Sequence, residues 1–206
     1  MQDFNALKRR IDWQKVGGLL PVIVQDFYSA EVLMLGFMDE KALEKSLEDK
    51  EVVFYSRTKK RLWKKGEESG NFLQIINLGL DCDSDTLLIL AHPKGPTCHT
   101  GSSSCFEPCS STLTFLSKLE SLIASRKTTP PQSSYTASLF AQGTKRIAQK
   151  VGEEGVETAL AAVAGGEEEL LDEAADLLYH LCVLLASRSL SLNAVIARLK
   201  ERHDGA

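Results

Sequence analysis

The first thing this sequence lacks is a long apolar run. None of its stretches approaches the ~20 consecutive apolar residues that cross a bilayer, so no membrane partner is expected. The opening residues, Met1 to Arg10, hold no apolar segment of the kind that directs secretion. An excess of one charge is missing as well. Lys and Arg number 24 against 28 Asp and Glu, a formal net charge of -4, which argues against the bulk attraction that holds polymeric nucleic acid or an anionic membrane. A cytoplasmic protein is the expectation, and in that compartment disulfides are rare. The five cysteines therefore read as ligands or bystanders, with Cys109 and Cys182 taken as bystanders. Strand-like alternation is also absent from the second half, where everything from Leu113 onward follows a helical period.

What the sequence does have is concentrated between Asp81 and Cys105. Asp81, Asp83 and Asp85 alternate with Cys82, and Cys98, His99 and Cys105 follow after an apolar run. If Asp81 to Asp85 continue as an extended segment, the aspartates share one side and Cys82 takes the other, so one segment could serve two metals. Three carboxylates together repel one another without a cation, and a divalent ion removes that cost. Cys98 and Cys105 flank a loop of Gly101 and serines, flexible enough to bring both sulfurs to one ion. Three thiolates are one fewer than a closed structural zinc site needs. Three protein ligands plus a water is the catalytic pattern, in which zinc lowers the pKa of bound water to roughly 7. A disulfide is the competing account of the cysteine pair, and the expected compartment argues against it.

The rest of the first half reads as short strands with one or two helices. Leu19 to Asp26, Val32 to Met38, Val52 to Ser56, Phe72 to Leu80 and Thr86 to Ala91 are the candidate strands, and Asp39 caps a helix over Glu40 to Glu48. Between them lies a basic segment, Arg57 to Gly66, containing Trp63, Lys64 and Lys65. Ser69, Gly70 and Asn71 follow in a Gly-rich stretch suited to a phosphorylated nucleotide. A polar connector after Phe106 separates this part from helices expected at Leu113 to Arg126, Ser138 to Ala164 with a kink, Glu167 to Arg188 and Leu192 to His203. Glu153, Glu154 and Glu157 lie near one helical face, and Glu173 with Asp176 near another. These faces could converge on magnesium, with Lys150 as a cation for phosphate. Glu173 and Asp176 sit among Ala174, Ala175, Leu177 and Leu178, where idle carboxylates are not expected.

The expected architecture is thus two domains, a mainly-β (α+β) metal-binding domain over 1–110 and an all-α domain over 113–206. These motifs carry a resemblance. Gly18-Leu19-Leu20-Pro21, Ser56-Arg57, Leu62 to Gly66, Ser69 to Asn71, Asp81 to Asp85 and Gly95 to Phe106 resemble phosphoribosyl-AMP cyclohydrolase. Ser134-Tyr135-Thr136, Lys150 to Glu154, Glu157 and Glu173 to His180 resemble phosphoribosyl-ATP pyrophosphatase, a helical pyrophosphohydrolase. Together they follow the order of the bifunctional histidine-biosynthesis enzyme. The resemblance implies that Cys82, Cys98 and Cys105 bind zinc and Asp81, Asp83 and Asp85 bind magnesium. Glu153, Glu154, Glu157, Glu173 and Asp176 would hold magnesium in the helical domain, with Glu153 or Glu154 orienting water. It further implies substrate contacts through Arg57, Trp63, Lys64, Lys65, Ser69, Gly70, Asn71 and Lys150. His99 is a candidate for proton transfer or for a fourth zinc ligand. A homodimer is implied, with Cys82 from one subunit and Cys98 and Cys105 from the other. The alternatives are a general nucleotide pyrophosphohydrolase fused to a non-catalytic zinc-stabilised dimerisation domain, and a zinc assembly module without activity.

Overall fold

Alternation from Leu20 onward does what a pleated strand demands of a half-covered sheet: Leu20, Val22 and Val24 are fully buried along β1 (Leu20–Asp26). The same holds for Leu87, Ile89 and Ala91 along β6 (Leu87–Pro93) in this computed structural model, which describes residues Phe4 to Gly205. β1 pairs antiparallel with β2 (Val32–Met38) and parallel with β6, which in turn pairs antiparallel with β5 (Leu73–Leu80). The result is a mixed sheet in the order β2-β1-β6-β5. A separate hairpin joins β3 (Val53–Ser56) to β4 (Arg61–Lys64), and Phe54 of β3 stacks on Trp63 with centroids 5.7 Å apart.

Two helices accompany the sheet. α1 (Phe4–Arg10) buries Leu7 and has no counterpart in the sequence reading, because seven residues are too few for periodicity to register. α2 (Glu40–Asp49) starts where Asp39 accepts from the Ala42 amide at 2.7 Å, and Ala42 and Leu43 pack into the core.

The chain divides into two units, one ending at Phe115 and the other starting at Leu116. The second unit is helical. It comprises all but the first two residues of α3 (Thr114–Arg126), with α4 (Tyr135–Gln142), α5 (Thr144–Ala164), α6 (Glu167–Ser187) and α7 (Leu192–Asp204), around Ile123, Leu139, Ile147, Cys182 and Val183. Among the described residues no single helix is long and apolar enough to cross a membrane.

Two expectations are corrected. Asp81 to Asp85 is not extended; it is the turn between β5 and β6, closed by Asp81 N–H donating to the Thr86 carbonyl at 3.0 Å, with Ser84 at φ 66. Polar side chains that can bond their own backbone favour such turns over strands. The helix expected over Ser138 to Ala164 is two helices. The first begins earlier, where Ser134 caps it by accepting from the Ala137 amide. Gly143 separates them at φ 86, ψ 169, a conformation that is essentially glycine's alone, and its N–H satisfies the Leu139 and Phe140 carbonyls.

Candidate active sites

In the first unit a cavity of about 500 Å³ opens between the loop after β4 and the cysteine loop, with Trp63 and Met34 in its wall. The loop after β4 is tightly wound: the Gly70 N–H donates to the Gly66 carbonyl at 2.8 Å, and Gly66 sits at φ 93 with the Asn71 backbone where a Cβ would be, 2.6 Å away. Lys65, Ser69 and Asn71 line the cavity, as do Cys98, His99 and Cys105. Lys65 is only 8% exposed. Burial holds its ammonium below the usual lysine range, against the opposing pull of Cys105 and Cys98.

The cysteine loop is anchored at both ends. The Cys98 N–H donates to the Ser102 carbonyl at 3.0 Å, and the Cys105 N–H donates to the Leu33 carbonyl of β2 at 2.8 Å. Both thiols line the same cavity, and each is among the groups that shift the other's pKa. The Thr100 hydroxyl, 3.1 Å from Cys98 Sγ, is the main cause that lowers that thiol's pKa, whereas burial raises that of Cys105. His99 Nδ1 lies 3.8 Å from Cys98 Sγ.

The remaining basic residues are placed differently. Lys64 reaches Asp49 at 3.1 Å and Glu51 at 2.6 Å, and Arg57 lies 3.8 Å over the Phe37 ring; neither lines the cavity. Gly70 serves the loop's shape without lining the cavity.

On the β5–β6 turn, carboxylate oxygens of Asp81, Asp83 and Asp85 lie within 4.8 Å of one another. Asp81 Oδ1 accepts from the amides of Asp85 at 2.9 Å and Thr86 at 3.1 Å. Burial pushes the Asp81 carboxyl up, but these amides together with the side chains of Asp85 and Thr86 leave it below its usual range. An all-oxygen trio suits a hard divalent cation such as magnesium. Cys82 stands exposed on the same turn and, among the described residues, joins no group of ligating atoms with Cys98 and Cys105. One chain therefore brings two thiols together and holds the third elsewhere. Thiolate donors fit zinc, and this chain alone does not assemble all three.

Lys15 went unnoticed in the sequence, since nothing local marks it. Its Nζ lies 2.6 Å from Asp83 and 2.7 Å from Asp85.

In the second unit, oxygens of Glu154, Glu157 and Glu173 converge within 4.8 Å of one another across α5 and α6. Glu154 is buried, 3% exposed, and its pKa is lowered chiefly by Lys150, with which it pairs. Burial, and after it the charges of Glu157 and Glu154, pushes the Glu173 carboxyl up. This is the electrostatic signature of a site that a cation would relieve. Glu153 stands apart from the trio, bonded to Arg146 at 3.1 Å, Gln149 at 2.8 Å and Lys150 at 3.0 Å. Asp176, expected to be embedded, is exposed and, among the described residues, stands outside the trio. Behind Glu154, His180 is buried. Its Nδ1 faces the Asp176 carbonyl at 2.9 Å, and its Nε2 faces the Tyr135 hydroxyl at 3.1 Å.

Two family models match the chain: phosphoribosyl-AMP cyclohydrolase over residues 34–107 and phosphoribosyl-ATP pyrophosphohydrolase over residues 116–203. The histidine biosynthesis bifunctional protein HisIE of Campylobacter jejuni is 66% identical over 205 residues, 98% of this chain and 99% of that one. The proteins of the same description from Vibrio cholerae, 59% identical over 97% of each chain, and Pasteurella multocida, 62% identical over 94% of this chain and 98% of that one, are similar throughout as well. Most of the sheet falls in the first matched region and most of the helical unit in the second, and the chain belongs to the bifunctional histidine-biosynthesis hydrolases, which join a phosphoribosyl-AMP cyclohydrolase to a phosphoribosyl-ATP diphosphatase.

Proposed function

We propose that the helical unit acts first, releasing pyrophosphate from phosphoribosyl-ATP at Glu154, Glu157 and Glu173, and that the first unit then opens the purine ring of the resulting phosphoribosyl-AMP. The order follows from chemistry, because only the first reaction makes the monophosphate that the second consumes. The observation that carries the assignment is the pairing of thiols with a nucleotide-sized cavity in one unit and a partly buried, oxygen-only trio in the other. Zinc on Cys82, Cys98 and Cys105 would supply a water acidified toward neutrality, and magnesium on the two carboxylate trios would neutralise phosphate charge.

The chain's own residues do the rest. Trp63 offers a ring face on which a purine can stack, and Lys65 places a cation beside the thiols inside the cavity. Ser69 and Asn71 present hydrogen-bonding groups at its rim. His99, exposed and lining the cavity, is placed to carry a proton between solvent and substrate. In the helical unit Lys150 faces the carboxylates and supplies the cation for phosphate, with Glu153 or Glu154 orienting the attacking water.

A homodimer completes the zinc set. The separation of Cys82 from the other two thiols supports it. So does an unpartnered apolar stripe on α5, where Val156, Leu160 and Val163 are 60%, 62% and 87% exposed at helical spacing.

The test supplies phosphoribosyl-ATP and follows pyrophosphate release and ring-opening absorbance, with and without a zinc chelator. The chelator and Cys98→Ala are each expected to abolish ring opening while pyrophosphate release continues. Pyrophosphate release without ring opening in the untreated protein would instead favour a pyrophosphohydrolase fused to a non-catalytic zinc domain.

A further inference from the structure

The aspartate trio of the β5–β6 turn is not left with bare negative charge: a lysine from far up the chain is built into it. Lys15 Nζ lies 2.6 Å from Asp83 Oδ2, 2.7 Å from Asp85 Oδ2 and 3.5 Å from the Asp83 carbonyl. Its backbone is pinned there. The Asp12 N–H donates to the Ser84 carbonyl at 2.9 Å, docking the Asp12–Lys15 turn on the tip of the hairpin, and Asp12 Oδ1 accepts from the Lys15 N–H at 3.0 Å. Gly17 and Gly18, both at positive φ, then return the chain to β1. An ammonium held by backbone docking differs from a surface lysine that merely finds a carboxylate. It occupies the charge position that a divalent ion would take.

We propose that Lys15 is a built-in counter-cation of the aspartate trio, a positioning residue that holds the turn together while no metal is bound and sets the affinity for a divalent ion by competing with it for Asp83 and Asp85. The inference rests on the trio being a metal site. Asp81, whose Oδ1 is held by two amides and not by Lys15, is the oxygen donor open to the incoming ion, which then displaces the ammonium from its neighbours. Removing the lysine strips a like charge from the ion's surroundings and leaves the turn dependent on metal for its shape.

The experiment uses the full chain and terbium(III) as a hard, oxygen-seeking probe. It is excited through tryptophan, because both tryptophans, Trp13 and Trp63, lie in the first unit. Magnesium is then titrated as competitor on the wild type, Lys15→Met, Lys15→Arg and Asp83→Asn. Lys15→Met is expected to bind magnesium roughly tenfold more tightly than wild type, while Lys15→Arg stays near wild type. In thermal denaturation, the melting temperature of Lys15→Met should rise on adding magnesium more than that of wild type. Wild-type affinity or weaker in a folded Lys15→Met overturns the proposal while the metal site stands. Equal sensitised emission from wild type and Asp83→Asn, with no competition by magnesium, overturns the metal site and this inference with it.

Discussion

Lys65 carries its charge where few lysines do, 8% exposed and beside two thiols. Burial lowers its pKa in the fold, so the cost is fully present at neutral pH and disappears only as pH rises to the unfolded value of about 10.4. Lys65→Met should therefore melt about 2–4 °C higher than wild type at pH 7, the difference narrowing in alkali, while KM for ring opening rises by at least about tenfold. Equal or lower stability would mean that the ammonium has a partner that repays its burial. At this scale the sequence was most legible where ligand chemistry is local. Cys98 and Cys105 line one cavity, and Asp81, Asp83 and Asp85 converge, although through a turn and not through strand alternation. Lys64 shows the limit of such reasoning. Its place in a basic run says nothing of Asp49 and Glu51, which the fold sets against it.

Gly143 shows why one element boundary was misplaced. Its neighbours read as one helical pattern, and Gly152 and Gly155 stay within α5, so nothing in periodicity singles out the glycine that breaks. Gly143→Ala should cost roughly 1–3 kcal/mol of stability in the helical unit, measured by denaturant unfolding, because alanine cannot hold φ 86 without strain. Along α5, Lys150 lowers the pKa values of Glu154 and Glu153. Carboxyls depressed in the fold stabilise it above their unfolded pKa of about 4.3, and that contribution is lost as pH falls through the lower folded values. Lys150→Met is therefore expected to unfold at a higher pH on acid titration followed by circular dichroism; an unchanged midpoint would show that the pair contributes nothing to the fold.

Across the whole molecule the two activities should come apart by substitution. Glu157→Gln is expected to slow pyrophosphate release by roughly 100-fold or more and to leave ring opening of added phosphoribosyl-AMP unchanged. The proposed sharing of the zinc set between subunits makes a further demand. Neither Cys82→Ala nor Cys98→Ala protein should open the ring alone, yet an equimolar mixture allowed to exchange subunits should regain roughly a quarter of wild-type activity, since half the dimers are mixed and each keeps one intact site. No recovery would place all three thiols in one chain. The division into a sheet part and a helical part could be seen in the sequence because the hydrophobic period changes after Phe106. The path that brings Lys15 to the β5–β6 turn could not, because it depends on tertiary docking across 68 residues.

Cys82 shares one short turn with the aspartates while its proposed thiol companions sit on a separate loop. On the proposed ligand sets, cation loading would have a built-in sequence. A freshly folded single subunit would already own its oxygen nest but only two of the three sulfurs, so magnesium would settle before the subunits meet, whereas zinc would be secured only once they do. Diluting the enzyme until its subunits part should accordingly shed zinc and spare magnesium, so that cyclohydrolase output becomes a gauge of subunit concentration.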